Sequence, residues 1–442
     1  MLATIVPSFV PPAMLQWAQE RQSMREPDGS ALGHIRICDF TGQLAGAGAT
    51  KFLAAFGAQV IRIEDPSNEG RWDILRGGTP YKDERRGINL GGSFNNHNVE
   101  KLGVTLNLRM KRGKELLHQL IEISDVITEN FAAGVFERLG LSYQELQEIR
   151  EDIIYVSNCG FGHSGPYAKY KTWGPIVQAV SGLTFSSGLP NEPSAGWGYS
   201  YMDHTGAYYM AMAILMAIHH RNVTGDGQWV DMSCTEAGAS LNGPAILDYT
   251  VNGRPLRRPM SPNSNRSQSP QMVPHGIYPA DGADNWIAIA CRNERDWAAI
   301  CSIAADSGIT DWTVDPRFDS LSGRIKHQDD LDVAVSVWTG KYERFALAAR
   351  LQAAGVAATA VQKPGERVDN DADTSAWGLW PTVHHTEMGE VRVDGIPVHL
   401  SETDWRIERG APCLGEDNEY VFGELLGLDA TEIASLKEEG VL

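Results

Sequence analysis

From Ile35 to Ser157 short runs of β-branched residues alternate with amphipathic stretches, and that alternation admits few folds. Ile35–Phe40 reads as a strand, Thr50–Phe56 as a helix closing at Gly57, and Gln59–Ile63 as a second strand running into Glu64-Asp65-Pro66. Val104–Leu108, Val126–Thr128, Ile153–Ser157 and Gln228–Met232 continue the strand series. Lys111–Ile123 carries apolar Leu116, Leu117, Leu120 and Ile121 at helical spacing, and Tyr143–Ile149 and Thr205–Arg221 are further helices. Strands alternating with helices bury both faces of a parallel sheet, so the expected class is α/β.

Past Asn252 the texture changes. Pro255 to Pro274 is rich in Pro, Ser, Asn and Arg and reads as an interdomain passage. Trp286–Ala290 is a strand, Trp297–Ala305 a helix, and the stretch to Leu351 is mostly helical. Ala358–Val361 and Glu390–Val393 are strand-like, and Tyr420–Leu426 reads as a closing helix. A chain of 442 residues has room for two domains, since single cores stop growing near roughly 250–300 residues. The expected divisions are a leader over 1–33, a large domain over 34–250, a small domain with linkers over 251–360, and a final segment over 361–442.

A formal charge of −18 argues against a nucleic-acid partner, because phosphate backbones demand clustered Lys and Arg. The longest apolar helical stretch, Ala207–Ile218, is far short of the ~20 residues that span a bilayer, so no membrane partner is expected. The leader MLATIVPSFVPP lacks a basic residue before its apolar run and is a poor signal peptide. Cys38, Cys159, Cys234, Cys291, Cys301 and Cys413 form no CxxC pair, which fits thiols in a reducing, cytoplasmic setting. His163, His204, His275 and the pair His384-His385 lack ligand spacing on a shared helix, so no metal is assigned.

The first strand–helix–strand unit imitates a dinucleotide fingerprint, with glycines after the strand and Glu64 ending the next one. The spacing is wrong: Gly46-x-Gly48 is followed by Lys51 where a third glycine belongs. No NAD is expected, and glycines that let a helix pack closely are the simpler reading.

Several separated segments resemble class III CoA-transferases, the CaiB/BaiF family. They are Asp39-Phe40-Thr41 with Phe56-Gly57-Ala58-Gln59-Val60-Ile61-Arg62-Ile63-Glu64-Asp65-Pro66; Ser124–Phe131 running to Arg138-Leu139-Gly140-Leu141; Gly160-Phe161-Gly162-His163-Ser164-Gly165-Pro166-Tyr167; Gln178–Leu183; Gly225-Asp226-Gly227-Gln228; and Ala411-Pro412-Cys413-Leu414-Gly415. The resemblance implies a Rossmann-like large domain built from both chain ends, a smaller inserted α+β domain, and two chains interlocked as a dimer. It implies coenzyme A and acyl-CoA as substrates, with CoA passing between an acyl-CoA and a free carboxylate through an aspartyl mixed anhydride and an aspartyl-CoA thioester. By the same resemblance Leu106, Asn107, Leu108, Arg109, Asn130, Phe131, Ala132, Arg138, Cys159, Gly160 and Phe161 contact CoA. Arg109 and Arg138 suit nucleotide phosphates, and Asn130-Phe131 offers an amide and a ring to adenine.

The departures are informative. Asp65 stands where a basic residue is common, and Gly46-Ala47 replaces a Gly-Pro pair. In Lys171-Thr172-Trp173-Gly174-Pro175-Ile176-Val177-Gln178-Ala179 the family aspartate falls at Gly174, which has no side chain to attack a thioester. No catalytic residue is therefore assigned. Asp203 is the fallback carboxylate, although an aspartate just before a helix also suits an N-cap; Glu192 is weaker. Some members of the family are heteromers in which one subunit has lost the aspartate. The resemblance is nearest to that kind, implying that this chain is the non-catalytic subunit of a heteromer and that a related partner subunit keeps the aspartate. The alternatives are a self-sufficient transferase or acyl-CoA racemase using another carboxylate, or a stand-alone CoA-binding protein. Trp173, Trp197, Tyr199 and Tyr201 are candidates for lining an aromatic acid pocket, or else core.

Overall fold

A computed structural model describes residues 29–188, 192–198, 200–258, 265–306, 308 and 311–442. Most of the 1–33 leader, and Tyr199, lie outside the described residues. Six strands form the main sheet: β1 (Arg36–Asp39), β2 (Gln59–Glu64), β3 (Leu102–Thr105), β4 (Val126–Glu129), β5 (Ile154–Cys159) and β6 (Trp229–Ser233). Their order is β3-β2-β1-β4-β5-β6, and every neighbouring pair is parallel. That is the doubly wound Rossmann order, whose ligand crevice opens beyond the carboxyl ends of the strands where the order reverses. Here the reversal lies between β1 and β4, with Cys38 registered against Ile61 on one side and Ile127 on the other. Ile37, Val126, Ile127, Ile154 and Val156 are completely buried, which is why the central strands read as apolar runs.

Five helices bear on the site: α1 (Ala45–Ala55), α2 (Lys111–Glu122), α3 (Gly174–Val180), α4 (Tyr201–Thr224) and α5 (Cys234–Leu241). Helix α2 buries Gly113, Leu116, Leu117, Leu120 and Ile121, as its spacing predicts. Helix α1 begins five residues earlier than Thr50, so the small-residue run at Ala45–Ala49 is helix and not turn. Side-chain volume explains it: a Cβ on Gly48 would lie 3.1 Å from Ala207 Cβ, and the small residues let α1 and α4 press together. Glycine here serves helix packing, as the sequence implied.

The chain divides into two units. The large one holds the described residues up to Thr184, then Gly196–Gly243 and Asp373–Leu442; the small one holds Phe185–Ala195 and Pro244–Ala372. The divisions thus fall at 243/244 and 372/373 where the sequence placed them at 250/251 and 360/361. Two short elements account for the shift: the helix Gly243–Asn252 falls almost wholly in the small unit where the large domain was expected to run to 250, and Pro364–Asp369 extends the small unit beyond its last strand. The small unit contains an antiparallel sheet of β7 (His275–Pro279), β8 (Trp286–Ala290) and β9 (Ala357–Ala360), in the order β9-β8-β7. Its helices cover a core centred on Trp297, Trp312 and Trp338.

At the C-terminal end, Glu419–Leu425 is a wide π-type turn, and the closing α-helix is Ala430–Glu438. Asp429 caps that helix by accepting from Glu432 N at 2.9 Å, a cap signal missed in the sequence.

Candidate functional site

A cavity of about 330 Å³ opens at the carboxyl ends of β1, β4 and β5, in the crevice the topology dictates. Its wall comprises Gln43 to Ala45, Leu75, Asn130 to Ala133, Asn158 to Phe161, Ala168, Tyr170 to Pro175, Val177, Ser200, Asp203 and Cys234.

One side rests on a buried ionic network. The side chains of Asp39, Arg62, Glu64, Asp73, Arg76 and Lys101 carry three charges of each sign and are sealed from solvent. Arg62 donates to the Thr41 carbonyl at 2.5 Å and to Asp73 Oδ2 at 2.8 Å, and Asp73 Oδ2 also accepts from Gln43 N at 3.0 Å. The network therefore fixes the turn between β1 and α1 that carries Gln43 and Leu44 into the cavity wall. Burial drags the Lys101 ammonium down to about 8, against the pull of Asp39. Arg76 donates to Glu64 Oε1 at 2.6 Å, so Glu64 offers no carboxylate to a ribose, and the dinucleotide reading fails on geometry as well as spacing.

Asn130 clasps the reversal point. Its Oδ1 accepts from Gly42 N at 2.7 Å and its Nδ2 donates to Gly42 O at 3.0 Å, so this amide is committed to the β1 turn rather than held for adenine. The Phe131 ring leans on Trp72, centroids 5.3 Å apart, and its amide donates to Glu129 Oε2 at 2.6 Å. Burial pushes the Glu129 carboxyl up to about 8, against the hydrogen bonds from Phe131 and Tyr155.

Opposite stands the loop from Gly160 to Trp173. Gly160 O accepts from Thr235 N at 3.0 Å and from Thr235 Oγ1 at 2.7 Å, while Thr172 packs directly on the Gly160 backbone. His163 secures the same loop: its amide donates to both oxygens of Asp231 at 3.0 Å, and its Nδ1 lies 3.2 Å from Oδ1. Phe161, Tyr167 and Tyr170 form a ring cluster with centroids 5.1 to 6.0 Å apart.

The sequence-assigned residues divide. Asn130, Phe131, Ala132, Cys159, Gly160 and Phe161 meet at the cavity, with Gly174 and Asp203. Leu106, Asn107, Leu108, Arg109 and Arg138 do not line it. Leu106 is core, Asn107 donates to Gly440 O at 3.2 Å, and the side chain of Arg109 is 78% exposed, 3.9 Å from Asp65. Arg138 ends a single helical turn on the surface. Of the four aromatics, Trp173 lines the cavity and Trp197 packs on Tyr201 with centroids 5.2 Å apart. Glu192 belongs to the small unit and is not part of the wall.

Gly174 opens α3, and Asp203 lies in the first turn of α4. The sequence offered Asp203 as an N-cap; instead Ser200 holds that position with a left-handed backbone (φ 63°), and no side chain caps the helix. A non-glycine residue held there costs on the order of 1 kcal/mol, and Ser200 and Asp203 both line the cavity. A Cβ built on Gly174 would sit 3.2 Å from Asp203 Cγ and closer still to Oδ2. The Asp203 carboxylate thus fills the volume that any side chain at position 174 would enter. Burial raises its pKa, partly offset by His204. Cys159 and Cys234, on the same wall, are pushed up to about 11 and about 12 by burial and stay as thiols at neutral pH.

Known proteins share this architecture. A family model for CoA-transferase family III matches residues 32–418, and the chain belongs to that family. It is 30% identical to a succinyl-CoA–D-citramalate CoA-transferase of Chloroflexus aurantiacus, over 93% of this chain and 98% of the relative. A succinate–glutarate CoA-transferase of Agrobacterium fabrum is 29% identical over 90% and 97%. Among solved structures, a CaiB/BaiF family protein from Brucella suis superposes with a TM-score of 0.79 at 25% identity, covering 91% of this chain and 100% of the other.

Proposed function

We propose that this chain is one subunit of a heteromeric CoA-transferase, moving CoA from an acyl-CoA such as succinyl-CoA to a second carboxylic acid. The partner is a related chain that keeps the family aspartate. The observation that carries this reading is Gly174: the family nucleophile position lies on the wall of the crevice cavity and has no side chain. A partner surface is supported by α4, where Tyr208, Tyr209, Met212, Leu215, Met216 and Val223 leave an exposed apolar stripe roughly 22 Å long. An interlocked dimer would cover it.

The relatives named for succinyl-CoA and succinate support a short dicarboxylic donor. For the acceptor we propose an aryl-substituted dicarboxylate, with (R)-benzylsuccinate of anaerobic toluene degradation as the leading candidate; the rings of Phe161, Tyr170 and Trp173 on the cavity wall support it. Arg109 and Arg138, both at the surface, are proposed phosphate contacts for the part of CoA outside the cavity. With all six cysteines free and no helix of the described residues long and apolar enough to cross a membrane, we place the activity in the cytoplasm.

Native purification followed by intact-mass measurement of the complex tests this. A stable complex with a related, aspartate-bearing chain is expected. A homogeneous homo-oligomer that turns over succinyl-CoA alone overturns the heteromeric reading.

A further inference from the structure

We infer that Asp203 is itself an acyl-accepting nucleophile, giving this chain its own CoA-transfer centre although position 174 is glycine. The inference rests on the reading that the cavity takes an acyl-CoA thioester, and goes beyond it by making this subunit chemically active.

Three observations carry it. Asp203 is the one carboxylate among the described residues lining the cavity. Its Oδ2 occupies the space that the first side-chain atom at position 174 would take, so the two helices α3 and α4 present a carboxylate at nearly the same point by a different route. Beyond a contact with its own backbone amide and the nearby His204, this carboxylate has no salt bridge or side-chain hydrogen bond among the described residues, unlike the carboxylates of Asp39, Glu64 and Asp73, which are locked in buried pairs. The neighbouring thiols do not compete, since burial keeps both protonated. Burial also raises the affinity of Asp203 for a proton, and a more basic carboxylate is the better nucleophile once ionised.

The steps balance without a co-reactant. A carboxylate oxygen of Asp203 attacks the thioester carbon of the donor; the C–S bond breaks, CoA leaves as thiolate, and an aspartyl–acyl anhydride remains. The thiolate attacks the Asp203 carbonyl carbon, the anhydride C–O bond breaks, and the donor leaves as a free carboxylate. The incoming acid carboxylate then attacks the Asp203–CoA thioester and expels thiolate. Attack of that thiolate on the acceptor carbonyl forms the new acyl-CoA and returns Asp203 as carboxylate.

The test uses the protein as purified, with its sister chain where one accompanies it. It is incubated with succinyl-CoA, quenched with hydroxylamine, digested, and each chain's peptides are weighed. A hydroxamate at Asp203 is expected, falling at least about 100-fold in Asp203→Asn, a near-isosteric change whose melting transition verifies folding. Asp203→Glu should restore part of the label. An unlabelled Asp203 in a preparation that does transfer CoA to a carboxylate overturns the inference and leaves the proposed function standing. A hydroxamate on another residue of this chain also overturns it. Absence of both label and transfer overturns both.

Discussion

Placing an aspartate back at position 174 is expected to destabilise this chain rather than repair it. Gly174 is outside the left-handed region, so the backbone accepts a side chain, and helix propensity alone would favour one by about 0.5–1 kcal/mol. Space and charge oppose it. The added Cβ meets Asp203 at the wall of a packed cavity, and overpacking of that kind costs about 1–3 kcal/mol. Gly174→Asp adds a second carboxylate beside the first: two unit charges about 4 Å apart repel by ~4 kcal/mol at an effective dielectric near 20, and protonation of one of them limits the penalty to roughly half. The balance is a loss of about 2–4 kcal/mol at pH 8 for Gly174→Asp and about 1–2 for Gly174→Ala. In the aspartate variant each carboxyl holds the other above its unfolded pKa. The sign follows: the lost stability is recovered below the unfolded carboxylate range and lost again as pH rises through the folded pKa values. Urea titrations of both variants at pH 5 and pH 8, each with and without Asp203→Ala, read the coupling directly. Gly174→Asp combined with Asp203→Ala should return to within about 0.5 kcal/mol of Asp203→Ala alone. Full additivity of the two changes, or a Gly174→Asp variant as stable as the parent at pH 8, would refute the claim that Asp203 fills this space.

Glu129→Gln keeps one acceptor oxygen for Phe131 N and turns its Nε2 to donate to Tyr155 Oη, which then accepts, while removing a carboxyl raised from 4.5 to about 8. The raised pKa means stability present at pH 4 is lost as pH climbs toward 8, so the variant should match the parent near pH 5 and exceed it by at least about 1 kcal/mol at pH 9, measured by urea midpoint. Arg62→Met strands Asp73 and leaves the Thr41 carbonyl without its donor, and a loss of about 3–5 kcal/mol is expected in the same assay. Iodoacetamide at pH 7.5 should label Cys159 and Cys234 far more slowly than a free cysteine peptide, because both thiols are raised above that pH; mass spectrometry of the intact chain reads it.

The doubly wound sheet is legible because it is written locally. Central strands such as Val126–Glu129 are buried along their whole length and open on β-branched residues, and α2 repeats its leucines at helical spacing. Where sequence and structure part, a tertiary contact outweighs local preference. Ala45–Ala49 has the look of a glycine turn, yet helix α1 starts there because the small residues lie against Ala207 of α4. The wall residues Asn130, Phe131, Cys159 and Phe161 are legible only through resemblance, since nothing in an Asn-Phe pair marks a strand end at a crevice. Along the chain Asn130 looks available for adenine, whereas its amide is committed to Gly42, a residue 88 positions away. The ionic network under the cavity leaves no sequence signal at all, because Asp39, Arg62, Asp73 and Lys101 are scattered along the chain and meet only when it folds.

Gly174 and Asp203 lie 29 positions apart in the chain and share one volume in the fold. Along the chain, position 174 reads as a missing side chain and Asp203 as a helix cap. In the fold they are two halves of one arrangement: glycine lacks the side chain that would collide, and the Asp203 carboxylate lies where that side chain would begin. A side chain at 174 with Asp203 in place overfills the wall. Double-mutant coupling measures that shared volume, whereas the hydroxamate on Asp203 reads its chemistry, and the two results are independent.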